Sequence, residues 1–117
     1  MLRIYAYKNC DTCRKALKFL RAHGIAFQEI AIRETPPSKA ELHSMLAAFG
    51  GRLRKLFNTS GGDYKALGLS TKLPDMPEAQ AIDLLAANGN LVKRPFVIGD
   101  GVHLVGFDED LWREALL

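Results

Sequence analysis

Only two of the 117 residues are cysteine, three are histidine and one is tryptophan. Two cysteines are too few for a disulfide scaffold. The three histidines, His23, His43 and His103, stand singly on separate segments, so Cys10 and Cys13 lack the further ligands that a structural zinc site needs. Long apolar runs are also missing: none approaches the ~20 residues that span a bilayer. The start, Met1-Leu2-Arg3-Ile4-Tyr5, has no secretory apolar region or cleavage site, so a cytoplasmic protein is expected. Charge of one sign is scarce, since 16 Lys and Arg stand against 13 Asp and Glu, a net +3. No basic run or basic stripe interleaved with aromatics provides a nucleic-acid footprint. The expectations are therefore no direct nucleic-acid contact, no membrane association, no bound metal or organic cofactor, and a monomer.

What is present fits an ordinary folded domain: 48% of residues are apolar and 25% charged, close to globular averages. A chain of this length forms one domain with a core of its own. Leu2-Arg3-Ile4-Tyr5-Ala6-Tyr7 alternates as a strand does. Cys13, Ala16, Leu17 and Leu20 follow at helical spacing up to Gly24, and Ile25 to Ile32 offers a second strand. The first 32 residues thus read as a β-α-β unit with a parallel pair. After Pro36-Pro37, Ser38-Lys39-Ala40-Glu41 is a capping box for a helix burying Leu42, Met45, Leu46 and Phe49. A helical turn is expected around Tyr64 to Leu67, and Asp75-Met76-Pro77-Glu78 signals a helix burying Ala79, Ile82, Leu85 and Ala86. Phe96-Val97-Ile98 and Val102 to Val105 flank Gly99-Asp100-Gly101, a hairpin pattern. Asp108 then caps a last helix with Leu111, Trp112, Ala115 and Leu116 inward. The expected architecture is α/β and thioredoxin-like: β-α-β, helices, β-β-α around a mixed sheet. It forms a single domain over residues 1–117, with residues 36–90 as a mainly helical insertion.

The chemistry concentrates in Cys10-Asp11-Thr12-Cys13, between the first strand and first helix. At a helix start, unpaired N–H groups and the positive end of the helix dipole stabilise a thiolate on Cys10. Arg14 and Lys15 add positive charge. Cys13, one turn on, is placed to close a disulfide with it, so one thiol attacks and the other resolves. Covalent haem attachment requires His after the second cysteine, where Arg14 stands. A disulfide across so small a loop adds little stability. The remaining alternative is a pair of inert, buried thiols. Arg94, before Pro95 and the Phe96 strand, offers a fork of donors to a carboxylate or oxyanion, or else a surface ion pair. A proline is tolerated at that strand start, and the sequence alone leaves its isomer open.

Strand-Cys10-Asp11-Thr12-Cys13-Arg14-Lys15-Ala16, Pro36-Pro37-Ser38, Tyr64 to Leu69, Arg94-Pro95 and Leu104-Val105-Gly106-Phe107, in this order, resemble the ArsC family of glutaredoxin-related arsenate reductases. That family also includes the Spx-type transcriptional regulators and the small reductase-like proteins of the YffB and YusI kind, to which the chain looks closest. The resemblance implies a thioredoxin fold, a cis bond before Pro95, Cys10 as nucleophile and Arg94 as an oxyanion holder. It implies catalytic roles for Cys10, Cys13 and Arg94, and substrate contacts from Asn9, Thr12, Arg14, Asn58, Pro95 and Gly106. The glutathione-dependent arsenate reductases place further arginines where Asn58 and Gly106 stand here, and arsenate needs several cationic donors. Three functions follow from the resemblance: a thiol-disulfide oxidoreductase served by glutathione or a small protein thiol donor, an arsenate reductase, or an Spx-like redox switch binding the RNA polymerase α subunit.

Overall fold

The computed structural model describes residues 1–117. Leu2–Ala6 forms strand β1, whose residues other than Arg3 are buried. Helix α1 spans Asp11–Ala22 and turns Cys13, Ala16, Phe19 and Leu20 into the core. Strand β2, Phe27–Ala31, pairs parallel to β1, as a β-α-β crossover requires. Strands β3, Phe96–Gly99, and β4, Val102–Val105, form an antiparallel hairpin. Its turn holds Asp100 at φ 52 and Gly101 at φ 79, the paired left-handed conformation that twists a tight hairpin correctly. β3 also pairs antiparallel to β1, giving a mixed sheet in the order β2-β1-β3-β4. This is the thioredoxin-like arrangement.

The chain divides into two compact units, Met1–Ala31 with Arg94–Leu117, and Ile32–Lys93. In the first, Leu2, Ile4, Ala6, Ala16, Phe19, Leu20, Val97 and Trp112 build the core around Cys13. Helix α6, Glu109–Leu116, is capped by Asp108, whose Oδ1 accepts from the Leu111 N–H at 3.2 Å. The Trp112 indole N–H donates to the Gly106 carbonyl at 3.1 Å, so the buried ring keeps its polar edge satisfied. Two residues expected inside α6 are not: Leu111 is 56% exposed and Ala115 is also exposed. A helix of two turns covers the sheet with a narrow stripe, here Trp112 and Leu116, spaced i and i+4.

The second unit is helical. In helix α2, Lys39–Ala48, the Ser38 hydroxyl accepts from the Glu41 N–H and the Glu41 carboxylate from the Ser38 N–H, a complete capping box. Its buried Leu42, Met45 and Leu46 belong to a face that packs on helix α5, Glu78–Ala87. Short helices α3, Gly62–Ala66, and α4, Leu69–Lys72, lie between them in sequence, with a 3₁₀ turn at Leu53–Leu56. Phe49 is half-buried. Asp75 does not cap α5: it closes a 3₁₀ turn, Leu73–Asp75, and the helix starts after Pro77 without a side-chain cap. With that start, Ala81 is buried and Ala79 faces outward.

Gly89 marks the tightest approach in this unit. A Cβ there would lie 1.9 Å from the Ile32 carbonyl oxygen, a backbone atom. Gly89→Ala is expected to destabilise the protein by about 2 kcal/mol through overpacking. The check is the denaturant midpoint, which falls at an unchanged slope; an unmoved midpoint would contradict the contact.

Candidate active site

The end of β1 and the start of α1 place Cys10. Its backbone is extended, φ −109 and ψ 115, and it is the N-cap of α1, with Sγ accepting from the Cys13 N–H at 3.3 Å. A sulfur in the capping position receives what a Ser or Asp side chain normally receives, and sits at the positive end of the helix dipole. The Cys10 N–H donates to the Tyr7 carbonyl at 3.2 Å, and its carbonyl accepts from the Arg14 N–H at 3.0 Å. The sulfur is thereby held at the mouth of the helix. Both cysteines are free thiols, Cys10 half-buried and Cys13 fully buried.

Arg94 reaches this site through strand register. β1 and β3 pair with Arg3 opposite Ile98 and Tyr5 opposite Phe96, so the segments carrying Tyr7 and Arg94, each two residues beyond that last pair, leave the sheet at the same end. The Arg94 guanidinium carbon lies 5.1 Å from the Tyr7 ring centroid, a cation–π contact. Its Nη1 is buried and has no hydrogen-bond partner within the protein. Arg94 therefore does not belong to a surface ion pair. The Arg94-Pro95 bond is cis, Pro95 is buried, and its carbonyl accepts from the Gly106 N–H at 2.9 Å.

These neighbours pull the two thiols in opposite directions. Partial burial works to raise Cys10, but the Cys13 thiol and N–H, and then the hydrogen bond and charge of Arg94, outweigh it and bring it below an ordinary thiol. Burial pushes Cys13 up to about 12, opposed by the Tyr7 backbone and Arg94 and reinforced by the Cys10 sulfur. Cys10 is the more acidic thiol of the pair and Cys13 the one that holds its proton to higher pH. In terms of folding, Cys13 favours the native state below the ordinary thiol range and opposes it as pH rises toward 12.

The residues expected to contact substrate fare unevenly. Thr12 is exposed on the first turn of α1. Asn9 is exposed and its side-chain amide donates to the Tyr7 hydroxyl at 3.2 Å. Arg14 is not one of the groups that lower Cys10: its Nη1 pairs with Asp11 Oδ1 at 2.8 Å and its Nε donates to the Lys8 carbonyl at 3.1 Å. The adjacent carboxylate captures it, and the lowering comes from the Cys13 thiol and N–H and then from Arg94. Gly106 has both backbone groups bonded internally, to Pro95 and to Trp112, which makes it a packing junction. Asn58 belongs to the second unit, where its N–H donates to the Leu91 carbonyl at 2.7 Å and its side chain to the Asn90 carbonyl at 3.4 Å. Tyr7 is the site residue that the sequence pattern did not single out. The available signal was period two, which places it on the face of buried Tyr5.

The ArsC family model matches residues 5–115 of this chain. The chain is 46% identical to the uncharacterized protein YusI of Bacillus subtilis, over 97% of this chain and 96% of that protein. It is 30% identical to the global transcriptional regulator Spx of Enterococcus faecalis, over 99% of this chain and 86% of the regulator. A crystal structure of an ArsC family related protein from Bacteroides fragilis superposes with a TM-score of 0.91 at 41% identity, covering 97% of this chain and 96% of that one.

Proposed function

Because the chain belongs to the ArsC family, with Cys10, Cys13 and Arg94 inside the matched region, we propose that it is a cytoplasmic thiol-disulfide oxidoreductase with Cys10 as its nucleophile. The observation that carries this reading is the geometry of two cysteines one helical turn apart, with Cys10 Sγ capping the start of α1 near Arg94 and Cys13 buried behind it, which lowers the first thiol and raises the second to about 12. Two thiols kept for structure alone have no need of a cation beside one of them.

The Cys10 thiolate attacks one sulfur of a substrate disulfide. The sulfur–sulfur bond breaks, the leaving thiolate takes a proton, and a mixed disulfide remains on Cys10. Attack removes the charge and the acceptor on Cys10 that raise Cys13, so Cys13 becomes more acidic once it is needed. It then gives up its proton, attacks Cys10 Sγ and releases the second substrate thiol. Two thiols of glutathione, or a small protein dithiol, reduce the resulting Cys10–Cys13 disulfide and leave as a disulfide. The positive charge of Arg94 beside Cys10 suits a carboxylate of glutathione. No cofactor is needed for this exchange.

Cys13→Ser tests the sequence of steps. Incubated with a small disulfide such as hydroxyethyl disulfide, the variant is expected to accumulate a mixed disulfide on Cys10, seen by intact mass, whereas the wild-type chain passes to the internal disulfide. Equal accumulation in both would assign resolution to the external thiol alone.

Reduction of arsenate is less well supported, because neither Asn58 nor Gly106 supplies the cationic donors that a highly charged oxyanion needs. A redox switch is favoured by the likeness to the regulator Spx across 86% of its length. In that reading Cys10–Cys13 oxidation would alter binding of the RNA polymerase α subunit. Pull-down of that subunit under reducing and oxidising conditions separates it from the enzyme, which requires no stable partner.

A further inference from the structure

The helical unit carries a pocket of its own, of about 560 Å³, within the size range of small-molecule sites. Arg52, Arg54, Thr59, Tyr64, Ser70 and Leu73 line it, and no acidic residue does. Arg52 and Arg54 are exposed, and neither engages a carboxylate of the protein. Tyr64 is only 5% exposed; its ring tilts against Phe57 at 6.1 Å, and its hydroxyl makes no hydrogen bond within the protein. With its ring buried and its hydroxyl not among the sealed, unpartnered atoms, the phenol presents its O–H at the pocket surface. It lines a pocket to which Arg52 and Arg54 also belong.

We propose that this pocket binds a small organic anion, its phosphate or carboxylate head held by Arg52 and Arg54 with the Tyr64 hydroxyl and its apolar body lying against Leu73. Paired guanidinium groups match either head with parallel charge-assisted hydrogen bonds. Thr59 and Ser70 add hydroxyls that can donate to the head or accept from it. The absence of acidic lining leaves the field of the pocket positive and selects against cations and zwitterions with a protruding amine. The proposal is independent of the thiol chemistry.

The test is titration of the ¹⁵N-labelled full chain with phenyl phosphate, benzoate, inorganic phosphate and phenol, followed by amide shifts. Saturable shifts confined to residues 51–74 are expected with phenyl phosphate or benzoate, and the tighter of the two identifies the head. Arg52→Ala with Arg54→Ala is expected to weaken that binding by about tenfold or more, and Tyr64→Phe by about threefold, as lost charge-assisted and neutral hydrogen bonds do. The arginines are exposed and Phe preserves the buried ring, so these variants keep the fold, which their spectra report. No saturable shift, shifts centred elsewhere, unchanged affinity in the arginine variant, or equal binding of phenol would overturn the anion site. Inorganic phosphate binding as tightly as phenyl phosphate would overturn the apolar half of the proposal.

Discussion

Cys10→Ser is expected to reduce turnover of a small disulfide, coupled through glutathione, glutathione reductase and NADPH, by at least about a thousandfold, as loss of a covalent nucleophile does. A serine hydroxyl remains protonated at any working pH and cannot exchange with a disulfide. The substitution also separates chemistry from folding. Cys10 caps α1 by accepting the Cys13 N–H, and serine is among the preferred residues for that position. The variant should therefore unfold at the wild-type denaturant midpoint while being inactive. Activity retained in Cys10→Ser would sink the oxidoreductase reading, and inactivity accompanied by a collapsed midpoint would show only that the helix start had failed.

The second large effect is assigned to Arg94. Arg94→Ala removes the cation that helps to lower the Cys10 pKa and, in the proposed mechanism, the positive charge offered to an anionic substrate group. Loss of a positioned donor of this kind costs about a hundredfold in turnover. The sign of its pH dependence tells the two roles apart. With Arg94 gone, the Cys10 pKa rises, so the thiolate fraction falls most at neutral pH and recovers above the ordinary thiol range. The activity ratio of wild type to variant should narrow as pH rises, and the part that persists at high pH measures the substrate contact. A ratio independent of pH would mean that Arg94 acts on substrate alone. Arg94→Lys retains a charge without the fork and should restore part of the pKa and little of the substrate contact.

Much of this framework is legible in the chain because local rules and tertiary structure agree. The period-two run at Leu2–Ala6, the helical spacing from Cys13 to Leu20, the Ser38 capping box and the Asp100-Gly101 turn each specify an element, and each forms where its signal lies. The Cys10-to-Cys13 spacing at a strand-to-helix junction likewise marks the pair for which reactivity is proposed, and the structure sets Cys10 at the N-cap of α1. Features decided by competition among neighbours were less accessible. Arg14 could have faced Cys10, but Asp11, three residues earlier on the same helix face, takes its guanidinium. Leu111 and Ala79 fit the apolar period of their helices, yet packing buries only one stripe of α6 and selects Ala81 in α5. Tyr7 meets Arg94 only through the register of two strands some ninety residues apart, a relation that no local pattern encodes.

The central claim is that one cysteine of the pair is activated and the other withheld. The pH dependence of iodoacetamide labelling in the reduced protein, with peptide mass spectrometry separating the two sites, tests it directly. The account predicts that Cys10 labels with a midpoint below that of an ordinary thiol, and that this midpoint rises in Arg94→Ala. Cys13, pushed to about 12, should stay unlabelled throughout the range in which the protein remains folded. A Cys10 midpoint at or above the ordinary thiol value, or Cys13 labelling ahead of Cys10, would contradict it.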